Sequence, residues 1–329
     1  MSLDAYGWEP FFQRQLPGPP GAETGRVRLA TARKVDVFAA DRTVPVSLPR
    51  NVGAAAVGDW VLFDPKKRIA TKILARRNAL ARNRPGHAAK RQVLAANIDV
   101  AVIVAALDRE LRPRQIERYL TSVLASGATP LIVLNKADQC PTSEAIARTL
   151  RNADPRYPVI TTSATTGEGV SALEDQLPER GTIALAGPSG AGKSSLINAM
   201  LQSEHLTIGS VRSQDNRGRH TTTRRELVEH PKGCLLMDMP GIRELYPWSS
   251  PEVVDQVFPE ISGLGQACHY RDCRHQSEPG CSIRAAEQDG SIDPGRLASF
   301  LELRQEQEDL QRSVAERRSG ADGRARSPL

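Results

Sequence analysis

Aromatic side chains are scarce, 4% of 329 residues, so packing must rest on Val, Leu, Ile and Ala, and recognition by stacked rings is limited. Long apolar runs are missing too. The longest, Val100 to Leu107, falls well short of the roughly 20 residues a helix needs to cross a bilayer, which argues against a membrane protein. The opening MSLDAYGWEPFFQRQ lacks the basic start, apolar stretch and small-residue cleavage site of a secretory signal, so a cytoplasmic protein is expected. There are no internal repeats, which excludes a solenoid. Cysteines number five, an odd and sparse set that does not make a disulfide framework; three of them share a short segment with a histidine, which points to metal ligation.

What is present is charge. A quarter of the residues are charged, the formal net charge is +6 and the pI is near 9.2. Basic residues gather at Arg76, Arg77, Arg82, Arg84, Lys90 and Arg91, which suits a polyanionic partner. The competing reading is an ordinary solvated surface.

The chain divides by texture. Residues 1–24 carry Pro17, Gly18, Pro19, Pro20 and Gly21 and read as a flexible arm. Residues 25–88 hold five β-rich runs, RVRLATA, KVDVFAA, TVPVSL, DWVLFD and RIATKIL, which predict a small barrel, then a polar, basic linker from Arg82 to Lys90. Residues 89–248 alternate apolar runs with helical periodicity. Ile98–Ala106, Pro130–Leu134, Val159–Thr162 and Ile183–Ala186 predict buried parallel strands, and Arg114–Ser126 a helix, the pattern of a doubly wound α/β sheet. In residues 249–317 a Cys/His segment precedes a helix capped by Asp293-Pro294, with Leu297, Phe300, Leu301, Leu310 and Val314 near helical spacing. Residues 318–329 lack apolar anchors and read as a disordered tail.

Gly187, Pro188, Ser189, Gly190, Ala191, Gly192, Lys193 and Ser194 follow a predicted strand and open a helix, as a phosphate loop requires. Its glycines let backbone N–H groups close on phosphate, and the helix start presents partial positive charge. Lys193 should reach the β- and γ-phosphates, Ser194 should ligate magnesium, and Ser195 completes the contacting set. Asn135, Lys136, Ala137 and Asp138 stand at the carboxyl end of another predicted strand, where ligands bind in open α/β sheets. Asp138 can accept from guanine N1–H and its exocyclic amine, whereas adenine offers no donor there. Asn135 helps to close this pocket and the Lys136 stem covers the base plane. The competing reading is a plain strand-end turn. Ser163-Ala164 follows a third strand and is expected to turn backbone N–H groups toward the guanine oxygen.

Leu235-Leu236-Met237 leads into Asp238-Met239-Pro240-Gly241: Asp238 would hold magnesium through water, and the Gly241 amide would sense the γ-phosphate. Upstream, NRGRHTTT over Asn216–Thr223 is a polar loop whose threonines, Thr222 and Thr223 among them, could complete the magnesium shell. After Gly241 comes Ile242, which cannot orient an attacking water. Slow intrinsic turnover is expected, with His220 as candidate for that task; the alternative is an exposed loop histidine.

The guanine motifs here precede the phosphate loop, the reverse of the conventional order. With VGDWV at Val57–Val61, ANIDVAVIV at Ala96–Val104, NKAD, GPSGAGKSSLIN, GRHTTT, DMPGIRE and the cysteine segment, the chain resembles the RsgA family of ribosome-small-subunit-dependent GTPases, also called the YjeQ or YloQ family, from about Gly25 to Leu310. The resemblance implies an OB-fold barrel, a circularly permuted P-loop GTPase domain with a doubly wound sheet, and a C-terminal zinc-binding helical domain. It also implies GTP/GDP, Mg2+ and one Zn2+ as ligands, and a role in late maturation of the small (30S-type) ribosomal subunit. Its partners would be that subunit, its rRNA and assembly factors, with the chain a monomer.

Cys268, Cys273, His275 and Cys281 form C-x4-C-x-H-x5-C, three thiolates and an imidazole suited to closed tetrahedral zinc. His269 is a rival ligand, and the resemblance favours His275. Two other classes of function remain: a nucleotide-gated RNA-binding module in which hydrolysis is incidental, and a P-loop ATPase or small-molecule kinase. The barrel could also serve only as a protein-binding spacer.

Overall fold

The computed structural model describes residues 3–16, 21–83, 90–203, 225–239 and 247–325, with side chains up to residue 317. Two compact units emerge: Met1–Leu80 with Val93–Leu111 and Ser126–Glu244, and Ala81–Gln92 with Arg112–Ala125 and Leu245–Leu329.

The first unit begins with a 3-10 turn, Leu3–Tyr6, and helix α1, Pro10–Gln13. The five β-rich runs follow as β1 (Glu23–Ala30), β2 (Lys34–Ala39), β3 (Arg42–Ser47), β4 (Trp60–Asp64) and β5 (Ile69–Ile73). They close into a barrel of order β1-β2-β3-β5-β4, with β3 parallel to β5, the arrangement of an OB-fold. Alternation turns Val27, Val35, Val37, Val44, Val46, Val61 and Phe63 inward; β-branched side chains fill so small a lumen well.

Within the arm expected over 1–24, residues 3–16 hold the 3-10 turn and α1 and pack on the barrel. Tyr6 stacks on Phe38 with centroids 4.7 Å apart, and Trp8 meets Trp60 edge-on at 4.8 Å. Gln15 accepts from the Ala75 N–H at 2.6 Å and donates to the Ala75 carbonyl at 3.2 Å. The reason is composition: Tyr6, Trp8, Phe11 and Phe12 concentrate here, in a chain with few rings, and burying Tyr6 and Phe12, with Trp8 half-buried beside them, outweighs the ordering entropy. Residues 17–20, the proline-glycine run, lie outside the described residues.

Arg26 fastens this unit internally. Its guanidinium is buried and donates to the carbonyls of Tyr6 (2.6 Å), Gly58 (3.0 Å) and Asn97 (3.0 Å), and to Thr182 Oγ1 (2.7 Å). Burial pulls its pKa down to about 10. Arg26→Met would take the guanidinium donor from the buried Tyr6 and Asn97 carbonyls, while Gly58 keeps its bond from Asn97 Nδ2 at 2.8 Å, and should lower unfolding free energy by about 3 kcal/mol. Denaturant unfolding of the two proteins measures it; a loss near zero would refute this keystone role.

A hairpin of β6 (Ala79–Asn83) and β7 (Arg91–Ala96) comes next. The linker expected between Arg82 and Lys90 is thereby narrowed to the hairpin connection, residues 84–89 of which lie outside the described residues. Of the two strands only Arg82 and Asn83, the polar end of β6, fall in the stretch that reads as linker.

A six-stranded sheet follows, built from β8 (Val100–Ala106), β9 (Thr129–Asn135), β10 (Val159–Thr162), β11 (Thr182–Ala186), β12 (Leu227–Glu229) and β13 (Leu235–Asp238). Its order is β10-β9-β8-β11-β13-β12, parallel throughout except that β12 runs antiparallel to β13. Helices α2 (Pro113–Ser126), α3 (Ser143–Ala153), α4 (Val170–Glu174) and α5 (Lys193–Leu201) belong to the crossovers. Val102, Val104, Leu131, Val133, Ile183, Leu185 and Leu236 pack with Leu173, Leu196 and Ile197. Chain order reverses between β8 and β11, the crevice where such folds take their ligands. On the far edge, β12 is covered: Glu226 bridges backbone to backbone with Leu29 of the barrel, and its carboxylate pairs with Arg28.

The second unit contains α6 (Pro251–Val257), α7 (Pro259–Gly265), α8 (Ser282–Gln288) and α9 (Pro294–Ala325). It also claims most of α2, which the sequence reading grouped within 89–248. Charge explains this: Arg118 binds Glu306 at 2.6 Å and Glu302 at 2.7 Å, and Arg296 binds Glu117 at 2.8 Å. Burial raises the Glu117 pKa. Helix α9 continues to Ala325, into the tail expected over 318–329; residues 326–329 lie outside the described residues. No apolar anchor is needed there, because once a helix is nucleated each further residue adds one backbone bond. Among the described residues, no helix is long and apolar enough to cross a membrane.

Candidate functional site

The carboxyl ends of β8, β9, β10, β11 and β13 all open onto one edge of the sheet. After β11 the loop 187–192 turns into α5. Gly187 (φ +154) and Gly192 (φ +86) have no steric substitute, since a Cβ would lie 2.3 Å from the Val104 carbonyl oxygen in one case and 2.3 Å from Asn135 Nδ2 in the other. Close approach of loop to strand therefore demands glycine.

Lys193, the first residue of α5, is buried, and its ammonium donates to the carbonyls of Gly187 (3.0 Å) and Pro188 (2.9 Å). Burial pulls its pKa down to about 8, with Asp238 opposing. A buried lysine depressed from about 10.5 to about 8 weakens folding below pH 8, and stability recovers as pH rises from 8 toward 10.5. Phosphate oxygens beside it would restore the charge. At pH 9, GDP binding should take up close to one proton, read by calorimetry in two buffers of different ionisation enthalpy; no uptake would refute contact between Lys193 and phosphate.

Ser194 Oγ donates to Asp238 Oδ2 at the end of β13. Asp238 is buried, which raises its pKa, while the Ser194 bond and the Lys193 charge oppose the rise. Its Oδ1 has no hydrogen-bond partner among the described residues. A buried carboxylate oxygen left unpaired beside a hydroxyl is a hard-oxygen donor set, and fits magnesium or its water.

Asn135 ends β9 and joins three loops. Its Nδ2 donates to the Ala191 carbonyl at 2.9 Å; its Oδ1 accepts from Thr162 Oγ1 at 3.2 Å and Ala164 N–H at 3.2 Å. Lys136 is left-handed (φ 66), and Ala137 and Asp138 lie in a 3-10 turn, Ala137–Gln139, with Asp138 exposed. Ser163 is buried; its N–H donates to the Glu168 carbonyl at 2.9 Å, and its Oγ accepts from Thr166 at 3.1 Å. The Ser163 and Ala164 N–H groups expected to face guanine thus have partners inside the protein, because β10 pairs in register with β9 and sets Thr162 opposite Asn135. Ser189 is exposed, and Ser195 half-buried in the first turn of α5. His220, Thr222, Thr223 and Gly241 lie outside the described residues. Sequence reasoning missed Thr162 and Asp108; an acidic residue just past the apolar run ending at Leu107 was the signal for the second.

In the other unit, the ligand atoms of Cys268, Cys273, His275 and Cys281 all lie within 4.8 Å of one another. His275 Nδ1 is 3.6 Å from Cys268 Sγ and 3.5 Å from Cys281 Sγ, and those sulfurs are 3.9 Å apart. Tetrahedral zinc with ordinary bond lengths demands edges of about 3.6 Å for N···S and about 3.8 Å for S···S, so the set fits that ion. Backbone N–H groups of Ser282 and Ile283 reach the Cys268 sulfur and favour its thiolate, against burial. Glu278 closes the loop by accepting from the N–H groups of Arg274 (2.9 Å), Gln276 (2.9 Å) and Ser277 (3.1 Å), which hold its pKa at about 2. His269 stands outside the set, edge-on to Tyr270.

Such loops on a doubly wound sheet, with the Asn-Lys-x-Asp loop preceding the phosphate loop in the chain, define a P-loop protein of circularly permuted order. The model of the RsgA GTPase family matches residues 73–248, more than half of the chain. The small ribosomal subunit biogenesis GTPase RsgA of Opitutus terrae is 39% identical over 340 residues, covering 93% of this chain and 90% of that protein. The protein of the same name from Syntrophotalea carbinolica is 44% identical over 280 residues, covering 80% and 77%. In fold, the chain is similar to the crystal structure of YjeQ from Thermotoga maritima, with TM-score 0.62 and 24% identity over 87% of this chain and 98% of that one. It is also similar to the structure of YloQ, a circularly permuted GTPase, with TM-score 0.58 and 24% identity over 89% and 98%. The chain belongs to the RsgA GTPase family, and its chemistry is hydrolysis of GTP.

Proposed function

We propose that this GTPase acts on the small ribosomal subunit in the cytoplasm, as a monomer, late in the subunit's maturation, and that binding the subunit and its rRNA accelerates hydrolysis. The observation that carries this is the meeting at one sheet edge of Lys193, the Ser194–Asp238 pair and the Asn135 side chain that ties the 135–138 loop to the phosphate loop. The relatives' names supply the partner, and a net charge of +6 supports a polyanionic one. Assembly factors on that subunit are the further partners.

In this reading Gly187 to Ser195 receive the phosphates. The Lys193 ammonium turns from its two carbonyl partners to the β- and γ-phosphates and steadies charge that develops during transfer. Asp138 and Lys136, with Asn135, Ala137, Ser163 and Ala164, receive guanine. Ser194 and Asp238 would hold magnesium, which neutralises phosphate charge when bound; Thr222 and Thr223 would complete its shell. Gly241 senses the γ-phosphate, and His220 orients water in place of the side chain that Ile242 lacks. Cys268, Cys273, His275 and Cys281 hold a structural zinc. The domain limits follow from these roles: barrel 25–88, permuted GTPase domain 89–248 and zinc-binding domain 249–317.

Multiple-turnover hydrolysis of GTP and of ATP, each with and without purified small subunits, tests the proposal. Expected are slow GTP turnover alone, marked stimulation by subunits and negligible ATP turnover. Absence of stimulation would favour a nucleotide-gated RNA-binding module instead.

A further inference from the structure

Asp108 belongs to none of the nucleotide motifs, yet its carboxylate stands beside them. It follows Leu107, whose N–H donates to the Asn135 carbonyl at 2.9 Å, so the backbone beyond β8 runs along the start of the 135–138 loop. There Asp108 Oδ2 meets Lys136 Nζ at 2.6 Å, while its Oδ1 is held by Arg109 Nε at 2.9 Å. The Asp108 and Lys136 side chains are only 21% and 23% exposed. Arg109 first, and Lys136 after it, hold the Asp108 carboxyl below the usual carboxylate range, so Asp108 stays ionised at neutral pH.

Lys136 is fixed at both ends. Its backbone adopts φ 66 and ψ 36, a left-handed conformation that residues bearing a Cβ adopt uncommonly. That turn sets where the stem starts, and Asp108 sets where it finishes. Lysine carries some of the largest side-chain entropy of any residue. A lysine left free would have to be ordered by the nucleotide at the moment of binding, whereas one already tethered has that loss behind it.

We infer that Asp108 is a positioning residue for guanine-nucleotide recognition, holding the Lys136 stem where it walls the base. This rests on the reading of Asn135 to Asp138 as the guanine loop. It also separates Asp108 from an ordinary surface ion pair, whose effect would be confined to a small change in folding stability.

The test is a double-mutant cycle read as the Kd for a fluorescent GDP, using wild type, Asp108→Asn, Lys136→Met and the double variant. Asp108→Asn keeps the shape and removes the charge at a partly exposed position. It is expected to weaken GDP about 3- to 10-fold, the effect of one side chain left to be immobilised. Lys136→Met retains an unbranched stem but no ammonium; in that background, Asp108→Asn should add nothing. Asp108→Glu, which keeps the charge, should recover part of the affinity. Equal weakening in both backgrounds, or none in either, overturns the inference while leaving the guanine reading intact. A wild-type chain that binds no GDP overturns both.

Discussion

Asp138→Asn should weaken GTP and GDP by about 10²- to 10⁴-fold, because two hydrogen bonds to a charged acceptor contribute about 1.5–3 kcal/mol each. The carboxylate presents two acceptors to two donors of guanine, N1–H and the exocyclic amine. Asparagine presents one acceptor and one amide donor, and the amide would face another amine. Xanthine carries a carbonyl where guanine carries that amine, so the variant should regain affinity for xanthosine diphosphate. Fluorescence titration with both nucleotides decides the matter. Equal losses for both bases would place Asp138 outside base recognition, and its exposed position in the 3-10 turn makes a purely structural loss easy to detect by melting.

Loss of one zinc ligand is the second large effect. Cys281 is buried, caps the N-terminus of α8 and lies beside both Cys268 and His275. Structural zinc is bound in small domains with an apparent free energy of about 10–16 kcal/mol. Cys281→Ser should therefore fall well below one zinc per chain by elemental analysis, and should lose the cooperative melting of the C-terminal unit. GDP affinity should change by less than about 3-fold, since the nucleotide loops belong to the other compact unit, which has its own core. A serine variant that keeps one zinc and melts normally would show the four side chains to be packed thiols and imidazole only.

Much of this architecture was readable before any coordinates, for identifiable reasons. Val159–Thr162 is the strand expected, residue for residue, and the five barrel runs recur as β1 to β5, because apolar alternation broken by turn residues leaves few other options. The phosphate loop declared itself through a fixed spacing of glycines in strand-loop-helix context. Position along the chain concealed the rest. Residues 3–16 looked like an arm because local pattern cannot reveal that Trp8 meets Trp60. The grouping of α2 with the C-terminal unit rests on Arg118 with Glu302 and Glu306, more than 180 positions away. Asp108 carries no motif; only the fold brings it to Lys136. Asn135 was read as closing a pocket, while its junction with Ala191 and Thr162 needed the sheet order.

The single backbone bridge from Leu29 to Glu226, reinforced by Arg28, bears on how this protein can be dissected. Trimming away the N-terminal barrel to obtain a minimal GTPase fragment would uncover the outermost strand's unpaired amides and carbonyls, a template onto which a second copy could zip. Self-association of such a fragment would then reflect the cut rather than any native oligomer.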